Sequence, residues 1–226
     1  MGRLCSRRYE RIAYREGWLR VAGVDEVGRG SLFGPLFAAA VILSPKRRIH
    51  GIDDSKKLPP ERREILAERI KEHALAWAFA EVAAAQIDAW NVYQATKQAM
   101  VEAIEQLQLP PDYLLLDGMG LEVATEQKVL IKGDNRSASI AAASILAKVA
   151  RDARLREWDR IYPQYGLGRN KGYATPEHLQ ALRRYGPSPL HRLSFAPVRE
   201  SVSWGARAEQ TALGLAATGS CGTSSI

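Results

Sequence analysis

The sequence has little cysteine and no long apolar run, and both shortages limit what the chain can be. Its 226 residues include two cysteines, Cys5 and Cys221, which lie near opposite ends. Two distant cysteines provide neither a disulfide framework nor the closely spaced ligands of a zinc site. No apolar run approaches the ~18–20 residues that a membrane span requires. We therefore expect a protein without a membrane anchor in a reducing compartment, the cytoplasm.

The signatures of several enzyme classes are also absent from the sequence. The chain contains neither a Walker phosphate loop nor the nucleophile elbow of a serine hydrolase. Gly28, Gly30 and Gly34 are not spaced as in a dinucleotide fingerprint, and the two acids before them would repel phosphate. The four histidines lack the spacing of zinc ligands. These absences disfavour a bound dinucleotide, serine hydrolysis and zinc chemistry.

Positive charge is in excess, with 32 lysines and arginines against 25 acids and a formal net charge of +7. A basic surface favours an anionic partner, and nucleic acid is the first candidate. Arginine is especially frequent in residues 1–18, which lack the apolar segment of a secretory signal. We expect this segment to be a basic arm or a short helix.

The apolar pattern predicts an α/β protein with a mixed sheet flanked by helices. Predicted strands cover residues 19–24, 36–43, 75–82, 113–116 and 129–132. Predicted helices cover residues 92–107, 137–161 and 176–185, and another begins at Pro60 with Ile65, Leu66, Ile70 and Ala74 on its apolar face. The first two strands are expected to form a hairpin. The predicted organisation is an arm (1–18), a core (19–162), a C-terminal loop and helix (163–199) and a disordered tail (200–226).

Acidic residues lie where three predicted strands end. They are Asp25 with Glu26, Asp117 and Asp134. If these strands are neighbours, the carboxylates come together and repel one another unless cations neutralise them. Oxygen ligands of this kind suit Mg²⁺ or Mn²⁺, and two such ions are suited to phosphodiester hydrolysis. The sequence therefore predicts an acidic metal site on a basic protein.

Each acid taken alone has a simpler explanation. Asp117 with Gly118 is an ordinary turn dipeptide, and Asp134 with Asn135 could cap the helix that follows. Asp25 with Glu26 is harder to explain in this way, because two acids beside an apolar strand are costly without a partner. Asp152, on the long helix, is an alternative fourth ligand.

The order of short motifs resembles bacterial ribonuclease HII, the type 2 ribonucleases H, over about residues 20–198. The motifs are VAGVDEVGRG at 21–30, DSKKL at 54–58, LDG at 116–118, KGD at 132–134, AAASILAKVARD at 141–152, YPQY at 162–165, KGY at 171–173 and HRLSF at 191–195. The resemblance implies a ribonuclease H fold with a small helical C-terminal part. It implies metal-dependent cleavage of the RNA strand in RNA–DNA hybrids, leaving 3′-hydroxyl and 5′-phosphate ends. It also implies incision 5′ of single ribonucleotides embedded in duplex DNA.

The resemblance also assigns expected roles to individual residues. The metal ligands map to the four acids already named, so Asp134 is preferred to Asp152. Recognition of the junction nucleotide maps to Gly28, Arg29, Gly30 and Tyr173, whose ring would stack on the substrate. Further expected substrate contacts are Lys56, Ser144 and Lys148, although Lys148 and Asp152 could equally form an ordinary i, i+4 pair.

The chain departs from the family pattern at a few positions beside these motifs. Ser31 follows the Gly-Arg-Gly motif where proline is common, and Asn170 precedes Lys-Gly-Tyr where histidine is frequent. Neither departure removes a metal ligand. Two other functions remain open at this point: a nucleic-acid-binding module without chemistry, and a different nuclease on the same fold. We expect a monomer, since nothing in the sequence requires more than one copy.

Overall fold

A five-stranded mixed sheet with helices on both faces organises the chain in the computed structural model, which describes residues 5–202. The strands are β1 (Val21–Val27), β2 (Leu36–Leu43), β3 (Ala74–Val82), β4 (Tyr113–Asp117) and β5 (Glu126–Leu130). The helices are α1 (Arg8–Arg15), α2 (Pro60–His73), α3 (Ala84–Trp90), α4 (Val92–Glu105), α5 (Ala138–Ile161), α6 (Leu167–Asn170) and α7 (Pro176–Tyr185). Two short 3₁₀ helices cover Gly133–Asn135 and Pro163–Tyr165.

The strand order is β3-β2-β1-β4-β5, which places β1 at the centre of the sheet. β1, β2 and β3 form an antiparallel meander, and this confirms the predicted hairpin. β4 and β5 extend the sheet in the direction parallel to β1. The carboxyl ends of β1, β4 and β5 therefore lie at the same edge of the sheet. The mixed sheet flanked by helices agrees with the predicted fold class.

The two faces of the sheet are buried under different helices. Along β2, Ala38, Ala40 and Ile42 pack in the cluster that includes α3 and α4. The alternate residues Ala39 and Val41 pack in the cluster that includes α2 and α5. Successive side chains of a strand point to opposite faces, so a strand covered on both sides is apolar throughout. This explains the uninterrupted apolar run of β2.

Gly23, on β1, allows the long helix α5 to lie directly against the sheet. A Cβ atom at this position would lie 2.1 Å from the carbonyl carbon of Ser139, at the start of α5. Contacts this short do not occur between unbonded heavy atoms, so no larger residue fits without moving the helix. The absence of a side chain at Gly23 thus fixes the distance between the strand that carries Asp25 and the helix that carries Ser144.

Several predicted boundaries were wrong. β5 (Glu126–Leu130) begins earlier than the predicted strand 129–132 and also ends earlier. It ends early because Lys132 adopts a left-handed conformation (φ 54°), which interrupts the extended chain. The α2 face that packs on the sheet contains Leu66, Ala67 and Ile70, whereas Ile65 is exposed and Ala74 begins β3. Helix α3 had not been predicted, and the loop predicted at the start of the C-terminal part (163–199) contains two short helices, Pro163–Tyr165 and α6.

The N-terminal segment is folded against the core from Cys5 onwards. Within α1, Glu10 is almost fully buried at the start of α5. Its Oε1 accepts hydrogen bonds from Ser137 Oγ at 2.6 Å, Ser139 N at 2.9 Å and Ser139 Oγ at 2.6 Å. This carboxylate therefore holds the N-terminus of the long helix, where negative charge is favourable.

The C-terminal part forms a separate apolar cluster that includes Phe33, Tyr165 and Leu182. Residues 196–202 are helical. The predicted disordered tail thus begins in a helix at 200–202, and its remainder, 203–226, lies outside the described residues. Between residues 5 and 202, none of the helices combines the length and the apolarity that crossing a membrane requires.

Candidate active site

Three carboxylates meet at the edge of the sheet where the parallel strands end. Asp25 is near the end of β1, Asp117 is the last residue of β4, and Asp134 lies in the 3₁₀ turn before α5. Each residue offers an oxygen atom, and the three oxygens lie within 4.8 Å of one another. We call these three residues the carboxylate cluster. A spacing of this kind would allow them to share ligation of a hard divalent cation.

The carboxylate cluster is electrostatically unfavourable without a cation. Burial, together with the nearby charges of Glu26 and Asp117, raises the pKa of Asp25 well above its ordinary value. Burial also raises the pKa of Asp117, although a hydrogen bond from the Gly133 amide at 2.6 Å opposes this shift. Opposite charge placed among these groups would relieve both burial and repulsion. The donor set is thus suited to a divalent metal ion.

Glu26 lies beside the cluster but not within it. Its strand partner is Ala38, on the α4 face of the sheet, whereas the partner of Asp25 is Ala39, on the α5 face. Its carboxylate instead lies 3.6 Å from the guanidinium of Arg29. Burial raises the pKa of Glu26, and Asp117 contributes to this shift, whereas Arg29 opposes it. Glu26 is therefore close enough to the cluster for Asp117 to affect its pKa, while its carboxylate is paired with Arg29 in the neighbouring loop.

We had expected Asp134 to follow the end of a strand, but it lies within a 3₁₀ turn. It does not cap α5 either. The cap of α5 is Ser137, whose side chain accepts a hydrogen bond from the amide of Ile140. The carboxylate of Asp134 receives a hydrogen bond from Asn135 Nδ2 at 3.0 Å and lies 3.4 Å from Lys56 Nζ. The backbone carbonyl of Asp134 accepts a hydrogen bond from Cys5 Sγ at 2.7 Å. Its neighbour Asn135 and two distant segments, which carry Cys5 and Lys56, thus hold this residue in place.

Lys56 has most of its side chain exposed, 80%, although its ammonium group reaches Asp134. Partial burial lowers the pKa of Lys56, but the charge of the Asp134 carboxylate and the hydrogen bond to it raise the pKa by more. The net shift is therefore upward. The lysine therefore remains charged at the mouth of the site. From this position its ammonium is available to solvent and to an incoming anion.

Lys148 and Asp152 form the ion pair that we had considered, at 2.7 Å, but the pair is largely buried. Asp152 also lies 3.7 Å from Arg63 on α2, so two cations neutralise it. Burial lowers the pKa of Lys148, and the carboxylate of Asp152 opposes this shift. Asp152 is absent from the group of three carboxylates that could share a metal. Its position is that of a link between α2 and α5.

Ser144 is buried between the carboxylate cluster and the loop that follows β2. A hydrogen bond with Ser144 lowers the pKa of Asp25, against the larger effect of burial. Its hydroxyl also lies 2.9 Å from the hydroxyl of Ser55. Ser144 is thus a direct partner of Asp25, and its expected contact with the substrate stays a prediction.

The loop of Gly28, Arg29 and Gly30 lies against the loop that carries Tyr173. A Cβ atom placed on Gly30 would lie 4.0 Å from the ring of Tyr173. Ser31 joins the two loops, since its hydroxyl lies 3.0 Å from the carbonyl of Gly172. Two segments that are more than 140 residues apart in sequence therefore form one surface beside the carboxylate cluster. At Ser31, the departure from the family pattern provides this contact.

Two buried arginines, which we had not singled out from the sequence, hold this surface together. Arg151 Nη2 donates to Ser31 Oγ at 2.7 Å, and Arg151 Nη1 donates to the carbonyl of Lys171 at 3.1 Å. Arg192 Nη1 donates to the carbonyl of Arg29 at 2.9 Å. Burial lowers the pKa of Arg192 to about 9. Arg151 lies in the motif AAASILAKVARD and Arg192 in the motif HRLSF. Membership of these motifs was the sequence signal that could have drawn attention to the two arginines.

Two buried histidines support the Tyr173 loop from behind. Nε2 of His178 lies 3.0 Å from Nε2 of His191, and Nδ1 of His178 lies 2.9 Å from the carbonyl of Tyr173. The amide of Ser188, which can only donate, lies 2.9 Å from Nδ1 of His191. His191 must then donate through Nε2 to His178, which in turn donates to Tyr173. Burial, aided by His178, lowers the pKa of His191 to about 3, so the ring is neutral.

Asn170, the second departure from the family pattern, orders the same loop. Its Nδ2 donates to the carbonyl of Tyr165 at 2.6 Å, and its Oδ1 accepts from the amide of Gly172 at 2.8 Å. These bonds hold the turn in which Lys171 and Gly172 adopt positive φ angles of 54° and 77°. At this position, where histidine is frequent in the family, the local hydrogen bonds of the asparagine side chain stabilise the turn.

The chain is similar to known proteins both in sequence and in fold. Residues 22–198 match the family model of ribonuclease HII. The ribonuclease HII of Solibacter usitatus (strain Ellin6076) is 58% identical over 195 residues, which cover 86% of each chain. The ribonuclease HII of Koribacter versatilis (strain Ellin345) is 54% identical over 209 residues, which cover 92% of this chain and 80% of that protein.

Two solved archaeal structures are similar in fold. The ribonuclease H2 of Pyrococcus horikoshii OT3 superposes with a TM-score of 0.73 at 25% identity, and the match covers 81% of this chain and 97% of that one. The ribonuclease HII of Archaeoglobus fulgidus, solved in complex with PCNA, has a TM-score of 0.64 at 27% identity, with coverages of 76% and 92%.

Proposed function

Because the chain belongs to the ribonuclease HII family, we propose that its carboxylate cluster, together with Glu26, holds the divalent cations of a ribonuclease H reaction. The protein is a metal-dependent endoribonuclease that hydrolyses the RNA strand of RNA–DNA hybrids. The observation that carries the proposal is the meeting of three carboxylates, from three separate elements, within 4.8 Å.

The metal is proposed to be Mg²⁺ or Mn²⁺, because both prefer oxygen ligands of the kind that the cluster offers. Two bound ions would activate the attacking water and stabilise the leaving oxygen of the phosphodiester. Asp25, at the centre of the sheet and the most strongly perturbed acid, is proposed as the ligand common to both ions. Glu26 would complete the set by turning from Arg29 toward the cluster.

The second part of the proposal concerns incision 5′ of single ribonucleotides in duplex DNA. The surface formed by Gly28, Arg29, Gly30 and Tyr173 lies beside the carboxylate cluster. Glycines allow close approach of the backbone to a sugar, and the 2′-hydroxyl can both donate and accept hydrogen bonds. An aromatic ring adds stacking on the neighbouring nucleotide. We propose that this surface selects RNA, whereas the carboxylates hold the cations that promote its hydrolysis.

Lysines are proposed to hold the substrate backbone to different extents. Lys56 is exposed at the mouth of the site and is suited to bind a phosphate. Lys148 is paired with Asp152, so its contribution to phosphate binding would require that pair to open. Ser144 is proposed to act on the substrate through Asp25, its hydrogen-bond partner, since its own side chain is buried.

The proposed working form is a cytoplasmic monomer. A single chain supplies all the carboxylates and the whole RNA-selecting surface, so the site needs no second copy. The proposed organisation keeps the catalytic core at residues 19–162 and the C-terminal segment 163–199 as the part that completes the substrate site. Arg192, from that segment, contacts the carbonyl of Arg29 and supports this division of roles.

The decisive experiment maps cleavage on a labelled DNA duplex that contains one ribonucleotide, with Mg²⁺, with Mn²⁺ and with EDTA. We expect metal-dependent incision immediately 5′ of the ribonucleotide, with 3′-hydroxyl and 5′-phosphate ends. Asp25→Asn should abolish the product. Full activity of Asp25→Asn would refute the metal-site assignment, and cleavage of an all-DNA duplex would indicate a different nuclease. Binding of the duplex without turnover under every condition would instead indicate a module without chemistry.

A further inference from the structure

A second, basic pocket lies on the N-terminal side of the core. It is a cavity of about 320 Å³ between the start of α1, the start of α5 and the loop that follows β2. Its lining residues with charged or titratable side chains other than Cys5 are Arg7, Arg11, Lys46, Arg48 and His50. We call this cavity the basic pocket.

The lining of the basic pocket contains four arginines and lysines, one histidine and no aspartate or glutamate. Lys46, Arg48 and His50 are exposed. Within the described part of the chain, Lys46 and Arg48 have no hydrogen bond or ion pair through their side chains. Cations gathered around one cavity repel each other, just as the carboxylates of the active site do. The complementary ligand is therefore an anion.

Hydrogen bonds between the segments that line the basic pocket hold the cavity in shape. Arg7 Nη1 donates to the carbonyl of Ser44 at 2.8 Å, and Arg7 Nη2 donates to the carbonyl of Arg47 at 2.9 Å. These bonds tie the start of α1 to the loop after β2. The amide of Arg8, at the start of α1, donates to Ser6 Oγ at 3.4 Å, so Ser6 also ties the start of the helix to the lining of the pocket.

Cys5 joins the basic pocket to the active site. It lines the pocket, and its Sγ donates to the carbonyl of Asp134 at 2.7 Å. One residue therefore separates the pocket from the carboxylate cluster. A nucleic-acid strand carries a phosphate every ~3.4 Å along the helix axis, so a duplex held at the cluster offers further phosphates to a neighbouring basic site.

We propose that the basic pocket binds a backbone phosphate of the duplex, at a distance from the scissile bond. The inference rests on the proposed function, because it takes the duplex to be the substrate held at the carboxylate cluster. Cys5, Ser6, Arg7 and Arg11 lie outside residues 22–198, which match the family model. The N-terminal segment would thus contribute a substrate contact from outside the stretch that the family model covers.

The test is the double variant Lys46→Ala/Arg48→Ala, which removes two exposed charges and leaves the bracing Arg7 intact. Binding of a fluorescein-labelled RNA–DNA hybrid is followed by fluorescence anisotropy in EDTA over a range of KCl concentrations. Because each lost phosphate contact reduces the slope of log K against log[salt] by ~0.9, we expect a slope reduced by about one to two. Affinity at low salt should fall about tenfold. The kcat for hybrid cleavage with Mg²⁺ should not change.

The matched control is Arg69→Ala/Lys128→Ala, which removes the same charge from exposed residues that do not line the pocket. An equal loss of slope in this control would overturn the proposal, because net charge alone would then explain the effect. An unchanged slope in Lys46→Ala/Arg48→Ala would also overturn it. Competition by inorganic phosphate without any change of slope would assign the pocket to free phosphate. If the wild-type chain fails to cut the hybrid with Mg²⁺, the proposed function fails, whatever the slopes are.

Discussion

The guanidinium of Arg151 lies 5.6 Å from the centre of the Tyr173 ring. The same guanidinium donates to the carbonyl of Lys171, two residues before the tyrosine. One buried cation on α5 therefore fixes both the backbone and the ring of the proposed RNA-selecting loop. Since α5 also carries Ser144, which contacts Asp25, the position of the loop is coupled to the carboxylate cluster through a single rigid helix.

Tyr173→Ala should weaken selection of the ribonucleotide more than binding of the duplex. Stacking of a base on an aromatic ring is worth about 1–3 kcal/mol, so incision at a single ribonucleotide should fall by about 5- to 150-fold. Binding of the same duplex, measured by anisotropy, should change much less. Tyr173→Phe, which retains the ring, is the control and should preserve most of the incision. Equal losses in cutting and in binding would argue against a role in selection.

Arg151→Lys should reduce incision although it conserves the charge. A lysine cannot reproduce the planar fork that reaches Ser31, Lys171 and the face of Tyr173 together. We expect roughly a tenfold lower rate on a single ribonucleotide and a smaller loss on a long hybrid, since each lost hydrogen bond to a charged group is worth about 1.5–3 kcal/mol. Arg154→Lys, on the same helix but half exposed, is the matched control. Similar behaviour of the two variants would contradict the assigned role.

Asp25→Asn should stabilise the protein in EDTA at neutral pH while it abolishes cleavage. Asp25 is buried beside Glu26 and Asp117, so its charge is unfavourable when no cation is bound. We expect the free energy of unfolding, measured with urea in EDTA, to rise by about 1 kcal/mol. Asp112→Asn is the control, because Asp112 accepts hydrogen bonds from the amides of Leu19 and Arg20 away from the cluster. That variant should be less stable than the wild type, and a gain in both variants would exclude a specific effect.

His191→Phe should change how stability depends on pH. Burial lowers the pKa of His191 to about 3, below its ordinary value of 6.5. The neutral ring therefore contributes stability that is present above pH ~6.5 and is lost as the pH falls, because only the unfolded chain then gains the proton. The wild type should exceed the variant in free energy of unfolding by more at pH 7.5 than at pH 5. Parallel curves of the free energy of unfolding against pH for the wild type and for His191→Phe would contradict the buried neutral pair.

Gly23→Ala should be strongly destabilising, because its Cβ would meet the backbone of α5 at 2.1 Å. We expect the free energy of unfolding to fall by about 3 kcal/mol or more, since backbone cannot yield as a flexible side chain can. Gly120→Ala is the control, since its Cβ would have ordinary contacts at 3.6 Å. Thermal unfolding of both variants in the same buffer makes the comparison. Equal stability of the two would show that α5 can move away from the sheet.

The features that the sequence predicted are those with local or strongly periodic signals. The hairpin of β1 and β2 follows from two apolar runs around a glycine turn, and α7 begins at Pro176 and ends at Tyr185 as predicted. The carboxylate cluster was predictable because Asp25 and Asp117 come directly after apolar strand residues. In each case, the residues that specify the element lie within it or beside it.

The features that escaped prediction depend on contacts between distant segments. His178 and His191 face one another only because α7 folds back on the C-terminal loop, and Arg151 is buried only because the Ser31 and Lys171 loops close over it. The strand before Asp134 ended early because Lys132 adopts a left-handed conformation, which lysine rarely favours. Glu26 was grouped with the other acids by sequence, but strand alternation turns it toward Arg29.

The buried carboxylate of Glu10 has a consequence for where the smallest functional gene could begin. A chain shortened to the first residue of the family match, Ala22, would lose the acceptor that holds Ser137 and Ser139 at the start of α5. We infer that such a truncation would fray the helix that supports Asp25 through Ser144. The basic segment that precedes the family match thus stabilises the start of α5, and we expect an active fragment to begin upstream of Glu10.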